Sequence, residues 1–319
     1  MNKPISHSPG ISESSLARAV PTPPTIPPVE ATDEAPAEKA APPVTEQQLT
    51  AAMRALSQPR LDSYRSFFRM QKEVAPTDEE LIGAYFWGQA IASALQPLVS
   101  TYEVVLRNAI HERASMLSSG QTSTSHPWYD HTRTDSLLTK GKSREKVIEL
   151  LYQPSNGAGM PMRRAVQPLP DQVVASLSFG FWPAFLNDLP PIQRSQILAE
   201  VFPHYPKGSR KHWSFPDNVN QLIQVLKDIQ DLRNRIAHHE PIWKPHRLTR
   251  TERHWWNSVQ SIQNKHREIV DVLGWCCTDS AVLYKAGFGR RMFNELCTTH
   301  AVKKFMASPF SAGTITPFN

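Results

Sequence analysis

The chain has 319 residues, 40% hydrophobic and 9% aromatic, which is enough to bury one large core or two modest ones and excludes disorder throughout. Its 35 basic and 29 acidic residues leave a net charge of +6, so a polyanionic partner is electrostatically allowed but not demanded. Cys276, Cys277 and Cys297 are too few for a disulfide framework, and the N-terminus lacks the apolar run of a secretory signal, so a reducing, cytoplasmic setting is expected.

Residues 1–45 hold ten of the 28 prolines and almost no large apolar side chains. Such a tail cannot offset its ordering entropy and is expected to be disordered, with PTPPTIPPVE suited to an extended polyproline segment. Helical spacing begins at Val44, with helices expected over Glu46 to Ser57 and Arg60 to Lys72, separated by Pro59. Thr77 and Glu80 form an S/T-x-x-E capping box opening a long helix through Leu81, Tyr85, Ala92 and Leu95. Pro97 is expected to end or kink it, with a second helix running from Leu98 to about Met116. No membrane span is expected here, because Gln89, Gln96, Glu103 and Arg107 interrupt the apolar stretch.

A Ser/Thr/Gly/Pro cluster from Ser118 to Asp130 reads as a loop, followed by helices over Ser143 to Tyr152 and Pro170 to Ala175. The stretch Leu177 to Trp182 is too aromatic to be exposed and is assigned to the core. Helices over Gln193 to Phe202 and from Pro216 follow, the second with Asp217 as N-cap and Leu222, Val225, Leu226, Ile229, Leu232 and Ile236 at helical spacing. It should stop near His239, since Pro241 disfavours helix at Glu240. Thr251 to about Leu273, Ala281 to Ala286 and Arg290 to Phe305 complete the helices. No convincing strand-period run and no internal repeat occurs, so the fold class is all α.

Ionisable groups concentrate at the end of the helix that begins at Pro216, in Asp231 to Ile242. With Ile229 at the centre of the buried face and about 100° per residue, Arg233 falls about 40° from that centre, where an apolar residue was expected. A guanidinium at a core edge needs an acidic or phosphate partner. Asn234 and His238 are four apart and share a face, but Arg233 is about 140° from His238. Convergence on one substrate therefore needs the helix end to open, long side chains to reach round, or a second copy of the motif from another subunit. The negative end of the helix favours a cationic His238, and a cationic His beside an Arg suits phosphate chemistry: one moves a proton, the other neutralises developing charge.

Arg233-Asn234 through His238 matches the R-N-x-x-x-H signature of the HEPN ribonucleases, and the wider chain resembles the Abi-like (abortive infection) branch of that superfamily. The resemblance spans roughly residues 59–275: Arg60 to Tyr64, Tyr85-Phe86-Trp87-Gly88, Glu103 to Ile110, Leu177 to Trp182, Arg233 to Ile242, and Trp275. It departs at Gly88, where Asn is expected. It implies a HEPN-like helical bundle, which is assigned to residues 46–275; residues 276–319 lie beyond the resemblance and are expected to be a helical extension packed on the same domain. It also implies a metal-independent endoribonuclease acting on single-stranded RNA, in which a 2′-OH attacks the adjacent phosphodiester to leave a 2′,3′-cyclic phosphate. His238 would be general acid or base, Arg233 would stabilise the charged phosphorane, and Asn234 would orient the phosphate. Two motifs commonly face each other in a dimer, and such proteins look like phage-defence toxins.

Glu103, Arg107 and Asn108 are read as supporting residues, Glu103 being a candidate partner for Arg233, and His239 and Glu240 are read as assisting the site. Lys207, Arg210, Lys211, His212 and Trp213 form a basic, aromatic-containing loop suited to RNA backbone contact and stacking, to which Arg235 is added. His238, His239, Glu240, His246 and His254 lack the spacing of a compact metal-ligand set, so no metal and no cofactor is assigned. Expected partners are RNA, a second copy of the chain, and an antitoxin or small RNA. The competing reading is a non-catalytic RNA-binding or dimerising module that holds a small RNA or a partner protein; a third is a pure interaction scaffold using the proline-rich tail.

Overall fold

The structure is a computed structural model and describes residues 43–69, 75–138, 140–153, 162–244 and 255–310. Most of the proline-rich tail lies outside these residues, as do Arg247, Arg250 and Arg253, the end of the second expected helix and the first residues of the helix expected from Thr251. The elements in chain order are α1 (Glu46–Leu56), α2 (Gln58–Arg69), α3 (Asp78–Ser118), α4 (Lys142–Leu151), β1 (Tyr152–Gln153), β2 (Met162–Arg163), α5 (Pro170–Ser176), α6 (Phe181–Asp188) and α7 (Pro191–Val201). They continue with α8 (Arg210–Trp213), α9 (Pro216–Ala237), α10 (Trp255–Cys276), α11 (Thr278–Ala286), α12 (Phe288–Leu296) and α13 (Thr299–Ala307). The protein is all α, and among the described residues the one exception is a two-residue antiparallel pairing, β1 with β2, too short to leave a strand period in the sequence.

Helix α3, 41 residues and about 60 Å long, is the element on which the others converge. It touches α1, α2, α5, α7 and α9 to α13. Its side chains explain this: Leu81, Ile82, Ala84, Trp87, Ile91, Leu95, Leu98, Val99, Tyr102, Leu106 and Ile110 are all buried, and a helix apolar on nearly every face must be covered on nearly every side. The expected capping box is present, Thr77 Oγ1 accepting from the Glu80 amide at 3.1 Å and Glu80 Oε2 from the Thr77 amide at 3.0 Å.

Pro97 does not end α3, contrary to expectation. An internal proline costs about 3 kcal/mol, but its neighbours Ala94, Leu95, Leu98 and Val99 are fully buried, each large one worth about 1.5–3 kcal/mol. Ser93, whose carbonyl loses its helical donor, is exposed and open to water. Three further expectations need correction. Asp217 does not cap α9; Phe215 is the N-cap without a side-chain bond, Pro216 takes the first helical position, and Asp217 serves the positive end of the helix from the first turn. Pro59 lies within the first turn of α2 rather than before it. The helix expected over Arg290 to Phe305 is two, α12 and α13, because neighbours take the carbonyls at the break. Trp87 Nε1 donates to Leu296 O at 2.9 Å and Gln263 Nε2 to Cys297 O at 2.8 Å, after which Thr298 caps α13. The aromatic stretch is core as expected: Phe179, Phe181, Trp182 and Phe185 are buried, and Trp128 packs against Phe185 with its ring tilted and the centroids 4.5 Å apart.

Gly88 has a packing reason. A Cβ built there would lie 2.5 Å from the Tyr64 hydroxyl oxygen. Tyr64, from α2, is buried edge-on against Tyr85 and Trp243 at 5.7 and 5.1 Å. Asparagine at position 88 would claim the space of that hydroxyl.

Two buried histidines are held neutral. His111 Nδ1 accepts from the Trp128 indole at 2.9 Å; because indole can only donate, the imidazole proton sits on Nε2, and burial lowers the pKa. His266, between α10, α11 and α12, is 1% exposed, stacks on Phe293 at 3.9 Å and is pushed down to about 4 by burial and then by Arg290.

Gly88→Ala should cost about 1–3 kcal/mol in urea unfolding, and most of the loss should be recovered in a Tyr64→Phe background, which removes the clashing oxygen. Stability should also fall with pH. Unfolded His266 takes up a proton below its ordinary pKa near 6.5, while the folded form does not until about 4. The contribution is thus complete above about 6.5 and lost progressively between there and 4, a change of about 3 kcal/mol. His266→Gln should flatten that slope in denaturation measured across the interval.

Candidate functional site

The geometry of Arg233 follows from its place on α9. Its Nε donates to Glu103 Oε2 on α3 at 3.2 Å, with the Arg side chain 39% and the Glu side chain 17% exposed. The guanidinium at the core edge thus has the carboxylate that its position required. Only Nε is engaged; both Nη atoms are without a hydrogen bond among the described residues. One turn along α3, Arg107 is half-buried with an unpartnered, buried Nε, while Asn108 is exposed.

Helix α9 ends at Ala237, with His238 as C-cap at φ −94° and ψ 7°. His239 then adopts a left-handed conformation at φ 56°. The His239 amide donates to Ile236 O at 3.1 Å and the Glu240 amide to Arg235 O at 2.8 Å, the paired bonds of a Schellman motif with His239 where glycine is usual. Two arginines fasten this turn. Arg60 Nη1, from α2, donates to His239 O at 2.7 Å, and Arg235 Nη1 donates to Lys244 O. Arg235, expected to contact RNA, is thus engaged by the main chain of the segment that follows. The side chains of Asn234 and His238 make no hydrogen bond among the described residues; Asn234 is half-buried and His238, His239 and Glu240 are exposed.

The basic segment before α9 separates into two parts. Lys207, Arg210 and Lys211 are exposed, Arg210 pairing with Glu200 at 3.3 Å. Trp213 is 2% exposed and packs against Tyr205 at 5.0 Å and Phe202 at 6.4 Å. The expectation that Trp213 contacts RNA is therefore corrected: its ring has no free face for a base, because α8 turns it into the core. The five residues are not one loop but the approach to α8 and the helix itself.

On the side of α9 about 180° from Arg233 lies a cleft of about 710 Å3, lined among others by Asp228, Asp231, Arg235, Lys244 and Lys265. None of Arg233, Asn234 and His238 lines it. No group of three His, Cys, Asp or Glu residues suited to a metal occurs among the described residues; His246 and His254 lie outside them. No helix among the described residues is long and apolar enough to cross a membrane.

His239→Gly should leave stability unchanged or raise it by up to about 1 kcal/mol, since glycine adopts positive φ without strain, whereas His239→Val should cost about 1–2 kcal/mol. Guanidinium unfolding of the two variants checks this; a valine variant as stable as the original chain would show that the turn does not constrain residue 239.

No curated protein and no solved structure matches the chain. A family model does, that of the Abi-like proteins, over residues 52–244, a span that reaches from α1 through the whole of the Arg233 to His238 segment and covers more than half of the 319 residues. The chain belongs to the Abi-like protein family.

Proposed function

We propose that the chain is a metal-independent endoribonuclease of the HEPN type that cleaves single-stranded RNA and acts as a toxin in abortive infection. One observation carries this reading. If Arg233, Asn234 and His238 served only to tie α9 to its neighbours, their polar atoms would be consumed in internal bonds. Tying takes only Nε of Arg233, through Glu103, and is otherwise done by Arg60, Arg235 and the main-chain turn, while the Arg233 Nη atoms and the Asn234 and His238 side chains are left without partners among the described residues. Family membership is consistent with a defence role.

In this scheme a base takes the proton of the RNA 2′-OH, the oxygen attacks the adjacent phosphorus, the bond to the 5′ oxygen breaks, and an acid returns a proton to that oxygen. The products are a 2′,3′-cyclic phosphate and a 5′-OH. His238 supplies one proton transfer. The free face of the Arg233 guanidinium, its Nε fixed by Glu103, meets the charge of the phosphorane, and Asn234 hydrogen-bonds a phosphate oxygen. Arg233 faces α3 while His238 stands at the exposed helix end, so one copy does not bring them together unaided; two copies with facing motifs supply the second imidazole. Lys207, Arg210 and Lys211 add backbone contacts. A toxin of this kind needs restraint by an antitoxin or a small RNA.

Incubated with total cellular RNA in EDTA, the protein should generate cyclic-phosphate ends, and His238→Ala should reduce cutting on the order of a hundredfold or more with an unchanged melting temperature, since the residue is exposed. Equal cutting by His238→Ala sinks the assignment. RNA binding that weakens with salt, without cleavage, favours the non-catalytic module. Full activity from a monomer at micromolar concentration overturns the shared site.

A further inference from the structure

Helices α10 and α12 lie beyond the span matched by the family. Between them is a cavity of about 180 Å3, lined by Gln263, His266 and Arg267 from one helix and by Arg290 and Asn294, among others, from the other. The spacing of these residues, three and four apart, places each set on a single helix face. No carboxylate lines the cavity.

Arg290 Nη1 donates to His266 Nδ1 at 3.0 Å. A guanidinium has no acceptor, so Nδ1 must be unprotonated and the imidazole proton sits on Nε2, facing the Tyr284 hydroxyl at 2.8 Å. The half-buried Arg290 cation is thus held by a neutral ring. Arg267 donates only to Asn264 Oδ1. Neither cation has an ion pair with a carboxylate among the described residues: of the acids close by in sequence, Glu268 is paired with Lys265, and Asp271 and Glu295 make none with Arg267 or Arg290.

Two guanidiniums converging on one cavity without a counter-charge repel each other and are stabilised by an anion. The lining is rich in donors and poor in acceptors. Gln263 Nε2 is committed to Cys297 O, but the two arginine forks and the Asn294 amide are suited to the oxygens of a tetrahedral or planar anion. At about six times the share of a water molecule, about 30 Å3, the cavity admits a phosphate group and is smaller than the roughly 300 Å3 at the lower end of drug-sized pockets.

We propose that the cavity between α10 and α12 is a phosphate-binding site, taking inorganic phosphate or the terminal phosphate of a phosphomonoester whose remainder stays outside. A phosphate there bridges Arg267 and Arg290 and so clamps the two helices. Burial and Arg290 keep His266 neutral at physiological pH, which leaves its Nδ1 to orient the Arg290 fork.

The test titrates the full-length protein with inorganic phosphate against chloride at matched ionic strength, following thermal stability and calorimetric heat. Phosphate should raise the melting temperature and chloride should not. Arg267→Gln, at an exposed position, should fold as before in the absence of phosphate yet bind it about tenfold more weakly, the loss of one charge-assisted hydrogen bond. Arg290→Lys should weaken binding likewise. Because the site near His238 is also proposed to meet phosphate, Arg233→Ala and His238→Ala serve as controls and should bind inorganic phosphate undiminished. Competition by a 5′-phosphorylated DNA oligonucleotide but not by its 5′-hydroxyl counterpart assigns the group to a nucleic-acid end; competition by neither assigns it to a free small anion. No stabilisation beyond that of chloride, or an equal response in Arg267→Gln, overturns the proposal.

Discussion

A helix that is apolar on nearly every face is stable in water only when other helices cover it, and α3 imposes that requirement on the rest of the described chain. Leu81, Ile91, Leu95, Leu98, Val99, Tyr102, Leu106 and Ile110 lie fully out of solvent, and nine other helices pack around them. The requirement is strong enough to carry the helix through Pro97. It also reaches beyond the span shared with the family. At Gly83 a Cβ would lie 2.1 Å from Phe305 O, so the backbones of α3 and α13 approach as only glycine allows.

The same helix sets the candidate site. Glu103 interrupts its apolar surface at the place where α9 crosses, and Arg233 interrupts the buried face of α9 at the matching height. Their pairing fixes the roll of α9 about its axis, and with it the direction in which Asn234 and His238 emerge. Arg60 and Arg235 then hold the turn after the helix by its carbonyl groups. Three arginines that meet this end of the helix therefore do different physical work: Arg60 and Arg235 satisfy main-chain acceptors, whereas Arg233 satisfies a carboxylate through one atom and keeps two donor atoms free. Composition alone cannot separate these roles, because all three are the same residue type.

The two buried histidines follow one rule, that the ring stays neutral and its tautomer is dictated by a donor-only neighbour. Trp128 does this for His111, and Arg290 for His266. The consequence differs because indole carries no charge and guanidinium does. The first leaves no cation, and His111 Nε2, without a hydrogen bond among the described residues, lies 3.6 Å from an Asp171 carboxylate oxygen. The second leaves a cation without an anion beside a cavity, in a segment that otherwise packs its helices tightly.

Much of this was legible in the residues themselves. Helical periodicity and the Thr77 capping box depend on neighbours three and four apart, so the all-α class and most helix limits could be read locally. The angular position of Arg233 already demanded an acid or a phosphate, and the Glu103 pairing meets that demand through one atom. The order Arg233, Asn234, His238 on one helix end was equally plain. What could not be read was whatever depends on partners far along the chain. Pro97 is outweighed by side chains of other helices, and Gly88 yields to Tyr64. The break before α13 is made by Trp87 and Gln263, and Trp213 is turned inward by Phe202 and Tyr205. Whether an arginine is spent on a carbonyl or left free was likewise decided by chain segments up to 179 residues apart. Local sequence sets the period of a helix and the chemistry at its end; only tertiary packing decides which of its polar atoms remain unspent.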